Sequence, residues 1–90
     1  MSEERVSATR VEYALRSTRA ASYRVGIEGD GVTLALVMSA SESGRRNAAA
    51  RIVRLLGEHG LELETDDPVE ALTSGPRPYG VGIMNESTVA

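Results

Sequence analysis

The clearest pattern of hydrophobic and polar positions lies between residues 31 and 65. The stretch GVTLALVM alternates at period two, and both sets of positions are small or apolar, which predicts a strand inside a sheet. SGRRNAAARIVRLLGEHG has helical spacing, with Ser41 or Ser43 as N-cap and Gly60 as the residue that ends the helix. LELET then alternates again, so this region is a predicted βαβ unit.

Two further strands are predicted before this unit. Residues 10–16 alternate, and Tyr and Val favour a strand there, although Val11, Ala14 and Leu15 also share a helical face. Residues 23–27 alternate as well. The turn EGDG at 28–31 follows them, and its glycines suit the positive φ angles of a tight hairpin. We therefore expect a β-meander that leads into the central strand.

The last third of the chain predicts a short helix and a final strand. DDPVEALTSG has the signature of a capped helix from Pro68 to about Thr73, with Asp67 as the cap. YGVGI is a strand whose glycines indicate an edge, a bulge or a close contact. The predicted fold is α+β: a small single-layer sheet of about five strands, in the order βββαβαβ, with one long and one short helix packed on one face. We expect one domain over 10–84, a flexible lead over 1–9 and a flexible tail over 85–90.

The stretch LALVMSASESGRRNAAARIVRLLGEHGLELET resembles the first βαβ unit of small ligand-binding ACT-type domains. The resemblance covers about a third of the chain and rests on a strand, an amphipathic helix and a glycine before the next strand. The elements that follow do not supply the βαβ continuation of that family.

Composition limits the class of protein. The chain has 90 residues, with three Tyr and no Phe or Trp, so its core is aliphatic and small. Oligomers often stabilise domains of this kind. The sequence contains no Cys, no apolar run long enough for a membrane helix and no secretory signal at its start. We expect a cytoplasmic protein that does not bind membranes.

Charge is unevenly distributed along the chain. Residues 1–56 carry nine Arg and six acidic residues, whereas residues 57–90 carry one Arg and seven acidic residues. If the two halves interleave in one sheet, these charges neutralise each other across strands. Otherwise the basic side is available to a negative partner or to the acidic side of another copy. The pI near 5.1 and the scarcity of aromatic residues argue against nucleic-acid binding.

The segment SASESGRRN at 39–47 is the candidate ligand site. Hydroxyl groups and two guanidinium groups gather where a strand leads into a helix N-terminus, an arrangement that favours small anions. The candidate ligand-binding residues are Ser41, Ser43, Arg45 and Arg46. Neither the phosphate-loop pattern nor the dinucleotide fingerprint is present. Arginines in an exposed first turn are more often solvated.

No set of residues for catalysis or metal binding can be nominated. His59 is the only histidine and falls in the last helical turn, where packing or capping explains it. Asp66 and Asp67 fit a helix cap. No base accompanies Ser41 or Ser43 in the local sequence. We expect a protein that is not an enzyme and needs no cofactor or metal.

The face of the predicted sheet opposite the helices is the candidate protein interface. Its expected residues are Glu12, Arg16, Arg24, Glu28, Thr33, Ala35, Val37, Glu62 and Glu64. The residues nominated for an interface are Arg16, Arg24, Ala35, Val37 and Tyr79. The preferred function is a small protein-interaction or accessory domain that acts as a homo-oligomer or with a larger protein. The alternative is a regulatory module that binds a small anionic metabolite at Ser41–Asn47.

Overall fold

The computed structural model describes residues 6–19, 22–29 and 31–84. The elements are helix α1 (Ala8–Ala14), strands β1 (Tyr23–Glu28) and β2 (Gly31–Leu36), helix α2 (Glu42–Glu58), strand β3 (Leu61–Leu63), helix α3 (Pro68–Ser74) and strand β4 (Tyr79–Ile83). The α+β class matches the prediction. The described residues form four strands instead of about five, and three helices instead of two.

The difference arises at residues 10–16, where the predicted strand is wrong. Ser7 caps α1 by accepting a hydrogen bond from the Arg10 amide at 3.1 Å. Val11, Ala14 and Leu15 are at most 3% exposed, all on the side that faces the core. Only helical spacing brings these three positions to one face, so burial outweighs the strand preference of Tyr and Val.

Helix α1 also shortens the expected flexible lead. The helix begins at Ala8, inside the range 1–9, and Val6 packs against the hydrophobic core. Residues 1–5 of that lead and the expected tail at 85–90 lie outside the described residues.

The sheet has the strand order β1-β2-β4-β3, and every neighbouring pair is antiparallel. Strands β2 and β3 therefore run parallel to each other, but β4 lies between them. Val81 of β4 pairs with Val32 on one side and Leu63 on the other. The βαβ unit is thus split by the last strand, which is central rather than at an edge.

All three helices pack on one face of this sheet. The core combines buried aliphatic residues of the helices with one face of the strands: Val11, Leu15, Ala49, Ile52, Leu56 and Leu72 from the helices, and Val32, Leu34, Leu36, Leu61, Leu63 and Val81 from the strands. Because side chains alternate along a strand, the residues between these strand positions lie on the opposite face.

The ends of the helices follow the predicted capping chemistry. The Ser41 side chain accepts a hydrogen bond from the Gly44 amide, and Asp67 does the same for the Glu70 amide. Gly60 follows α2 with φ 75°, the left-handed conformation that glycine adopts without strain. These local features fix where α2 and α3 begin and where α2 ends.

Candidate functional site

The open face of the sheet, opposite the helices, has a floor made mostly of small residues. Gly26 of β1, Thr33 of β2 and Gly80 of β4 lie side by side in the register. Gly26 and Thr33 belong to the lining of a depression of about 400 Å³. The depression is lined by Arg24, Gly26, Thr33, Ala35, Val37, Pro76 and Pro78.

Glu64 lies across this floor. A Cβ atom on Gly80 would sit 2.5 Å from one Glu64 carboxylate oxygen, and a Cβ on Gly82 would sit 2.7 Å from the other. The two glycines of β4 therefore leave room for the Glu64 side chain. The close contact that these glycines indicate in the sequence is made within the chain itself.

Charges border the open face on both sides. Arg24 and Glu28 lie on β1 at one edge of the sheet. Glu62 is paired with Gly82 at the other edge, and Glu64 follows it on the same face. The strands of the two halves of the sequence do not interleave, because β1 and β2 lie on one side of the sheet and β4 and β3 on the other. Strands β2 and β4 separate Arg24 from the acidic residues of the β3 edge.

The structure brings together three of the five predicted interface residues. Arg24, Ala35 and Val37 line the same depression on the open face. Tyr79 does not join them, because it pairs with Leu34 and packs against the core on the helix face. Arg16 follows helix α1, and its guanidinium carbon lies 4.7 Å from the centre of the Tyr13 ring.

The expected place of Arg16 on the open face is wrong for the same reason as the first strand, and its part in an interface stays a prediction. Glu12 is also removed from the expected open face, because both residues belong to the α1 region and not to a strand. Tyr79 lies with Val81 and Ile83 on the helix side of the central strand β4, and its part in an interface stays a prediction.

Ile27, on the edge strand β1, is an exposed apolar side chain, although its sequence pattern is that of a residue in the core. Ile27 is 74% exposed, although its partner in the register, Val32, is only 5% exposed. Both lie on the helix face, so the described helices cover Val32 and leave Ile27 uncovered. Its position directly before the hairpin turn is the only sequence signal for this exposure.

The segment at 39–47 uses its polar groups within the fold. Ser41 caps α2, and its hydroxyl oxygen lies 3.3 Å from that of Ser43. Arg45 donates to four backbone carbonyls: Met38 at 2.6 Å, Thr73 and Leu72 at 2.9 Å, and Leu36 at 3.3 Å. This cluster, which we call the Arg45 clamp, joins the end of β2 to the last turn of α3.

The clamp leaves one of the five guanidinium N–H groups of Arg45 without such a bond. Arg46 points to other partners and bridges Glu42 at 3.3 Å and Glu70 at 3.1 Å. Hydrogen bonds to Glu70 and then to Glu42 raise the pKa of Arg46 above its ordinary value. The segment therefore links α2, α3 and β2 through the same residues that the sequence nominates for anion binding.

His59 makes capping and packing contacts within the fold. It is the C-terminal cap of α2, and its backbone oxygen accepts a hydrogen bond from the Arg10 guanidinium at 3.2 Å. Its ring meets the Tyr13 ring edge to face, with centroids 5.6 Å apart. These contacts attach α1 to the end of α2 and agree with the packing role expected for this histidine.

Tyr23, at the start of β1, has a raised pKa. Burial raises the pKa of its hydroxyl above the ordinary value, and the negative charge of Glu12 raises it further. Both effects favour the neutral phenol in the folded protein.

Within residues 6–19, 22–29 and 31–84, no group of three or more His, Cys, Asp or Glu residues could hold a metal ion. Over the same ranges, the helices are too short or too polar to cross a membrane. No protein-family model matches the chain, and neither curated proteins nor solved structures give a significant match.

Proposed function

We propose that this chain is a non-enzymatic protein-interaction domain that acts as a homo-oligomer, with a second copy of itself as the partner. The observation that carries the proposal is Ile27, which is 74% exposed on the edge strand β1. Burial of this side chain against a second molecule is favourable, since apolar area removed from water contributes about 25 cal/mol per Å².

The charges of β1 favour a second copy as the partner. Arg24 lies near one end of the strand and Glu28 at the other, both on the open face. When two copies of β1 pair antiparallel, Arg24 of each copy can therefore lie opposite Glu28 of the other, which gives two pairs of opposite charge. Other proteins would need their own complementary pattern, whereas this chain carries both halves of it.

The anion-binding alternative receives less support from the structure. Arg45 already donates to four carbonyls, and Arg46 already pairs with two carboxylates. An anion at Ser41–Asn47 would have to compete with these contacts. The alternative stays a prediction of the sequence.

The oligomeric state tests the proposal directly. Native mass spectrometry and light scattering after gel filtration should both show a dimer. The fraction of the protein in this dimer should rise over a series of increasing protein concentrations. Ile27→Ser should shift this equilibrium towards monomer. A protein that stays monomeric throughout the series would overturn the proposal, and a larger protein would then become the expected partner.

Tyr13→Ser is a matched control for this experiment. Tyr13 is also an exposed apolar side chain, at 55%, but it lies on α1 against His59 and not on the β1 edge. We expect this variant to dimerise as the parent does. Equal loss of dimer in both variants would show that general surface hydrophobicity, rather than the edge of β1, drives association.

A further inference from the structure

Among the residues that the structure describes, no strand pairs with the outer edge of β1, which leaves backbone groups at alternate residues of this edge without a strand partner. The Ser22 carbonyl accepts a hydrogen bond from the Val37 amide, so Ser22 and Val37 occupy a hydrogen-bonded position of the antiparallel ladder, although the Ser22 amide itself donates to Arg19. Such pairs recur at every second residue. The amide and carbonyl groups of Arg24, Gly26 and Glu28 therefore point towards β2. Those of Tyr23, Val25 and Ile27 point away from the sheet.

We infer that β1 pairs antiparallel with β1 of a second copy, in a register centred on Gly26, so that two sheets join into one of eight strands. This inference rests on the proposed self-association and specifies its geometry. In this register Val25 of each copy lies opposite Ile27 of the other. Because both residues have outward-pointing backbone groups, these two pairs can form four interchain hydrogen bonds.

Side chains match in the same register on both faces of the sheet. On the open face, Arg24 of each copy lies opposite Glu28 of the other, and Gly26 faces Gly26 at the two-fold axis. On the helix face, the exposed Ile27 meets Val25, which packs at the margin of the core. Cross-strand pairs of opposite charge and of β-branched residues both stabilise antiparallel ladders.

Other registers fit less well. Residues whose backbone amide and carbonyl groups point away from the sheet must pair with residues of the same kind in the second copy. The register can therefore change only in steps that keep the open faces of the two sheets on the same side. Pairing Val25 with Val25 moves Arg24 opposite Gly26 and removes both ion pairs. A shift the other way pairs Val25 with Gly29, which belongs to the hairpin turn, and shortens the ladder.

Cysteine cross-linking tests the register, because the natural chain contains no cysteine. Arg24 and Glu28 form a non-hydrogen-bonded pair in this geometry, with Cα atoms about 4.5 Å apart, a separation that a disulfide can span. The double variant Arg24→Cys/Glu28→Cys should give a covalent dimer under mild oxidation. Each single variant places its cysteine opposite the native residue and should stay largely uncross-linked.

Charge reversal gives an independent test that needs no new bond. Arg24→Glu and Glu28→Arg should each weaken dimerisation by about ten- to a hundredfold, because two attractive pairs become repulsive. The combined variant Arg24→Glu/Glu28→Arg restores opposite charges and should recover most of the affinity. Sedimentation equilibrium measures all four proteins, and circular dichroism checks that each is folded.

The outcomes separate this inference from the proposed function. If the chain dimerises, but the double cysteine variant fails to cross-link and the combined charge reversal does not recover affinity, the register is wrong. Loss of that dimer in Val37→Arg would then assign the contact to the open face, and self-association would stand. If the natural chain never associates, both proposals fail together.

Discussion

The Arg45 clamp gives the sharpest prediction about stability. Arg45→Ala removes four hydrogen bonds that one guanidinium donates to partly buried carbonyls, three of them at 2.9 Å or less. A hydrogen bond to a charged group contributes about 1.5–3 kcal/mol when buried. Partial solvent access lowers this value, and the bond at 3.3 Å is long. We expect a loss of about 2–4 kcal/mol in the free energy of unfolding.

This loss is large for a chain of this length. Domains of this size unfold with a free energy of about 5–13 kcal/mol, and each kcal/mol shifts Tm by about 4–8 °C. The Tm of Arg45→Ala should therefore fall by roughly 10–25 °C. Arg45→Lys should be intermediate, because a lysine ammonium has three donors and cannot form the planar fork that reaches four carbonyls.

Urea denaturation followed by circular dichroism measures the effect, and Arg46→Ala is the matched control one residue away. Arg46 makes exposed ion pairs with Glu42 and Glu70, so its removal should change the urea midpoint little. Equal midpoints for the Arg45 and Arg46 variants would refute the reasoning. So would an Arg45→Ala protein as stable as the natural chain, since the four carbonyls would then not need this donor.

Three further changes test the core, a turn and a titrating group. Leu34→Ala should lower the free energy of unfolding by about 2–5 kcal/mol, because this fully buried side chain leaves a cavity; a smaller loss would mean that the core collapses around it. Gly60→Ala should cost about 1–2 kcal/mol, because φ is 75° there. Gly75→Ala, where φ is 172° and no atom lies within 4 Å of the added Cβ, should cost nothing measurable, and equal losses would contradict the conformational explanation. Because the folded-state pKa of Tyr23 is raised, its contribution to stability is present below about pH 10 and is lost as pH rises through the folded pKa. Alkaline denaturation of Tyr23→Phe should lack this component, and identical pH profiles for the two proteins would exclude it.

The candidate interface shows the limits of a one-dimensional pattern. Ala35 and Val37 were predictable, because they alternate with buried residues on a strand with a clear period. Ile27 was not, since its sequence pattern is that of a core residue and only the placement of the helices leaves it uncovered. For Tyr79 the sequence gives no face, and only the pairing of β4 with β2 and β3 places it on the helix side.

The nominated ligand residues show a similar limit. The sequence places Ser41, Arg45 and Arg46 near a helix N-terminus, and the structure agrees. The sequence does not show where α3 lies in the fold. The backbone carbonyls of Leu72 and Thr73 in α3 accept two of the hydrogen bonds that Arg45 donates. A guanidinium that looks available in the sequence is therefore engaged by residues 27 and 28 positions away.

The sequence by itself determined the features that depend on neighbouring residues. These are the hairpin at Glu28–Gly31, the span of α2, the caps at Ser41 and Asp67, and the left-handed Gly60. Each is set by contacts within a few positions along the chain, so its signal is present in a short window.

Only the tertiary structure decided the rest. Residues 10–16 fit both periods, their Tyr and Val favour a strand, and packing of Val11 and Leu15 against the core nevertheless selected the helix. The central place of β4 depends on pairing between Val81, Val32 and Leu63, which are distant in sequence. Local patterns cannot encode such pairings, because their energy comes from burial that exists only when the whole sheet is assembled.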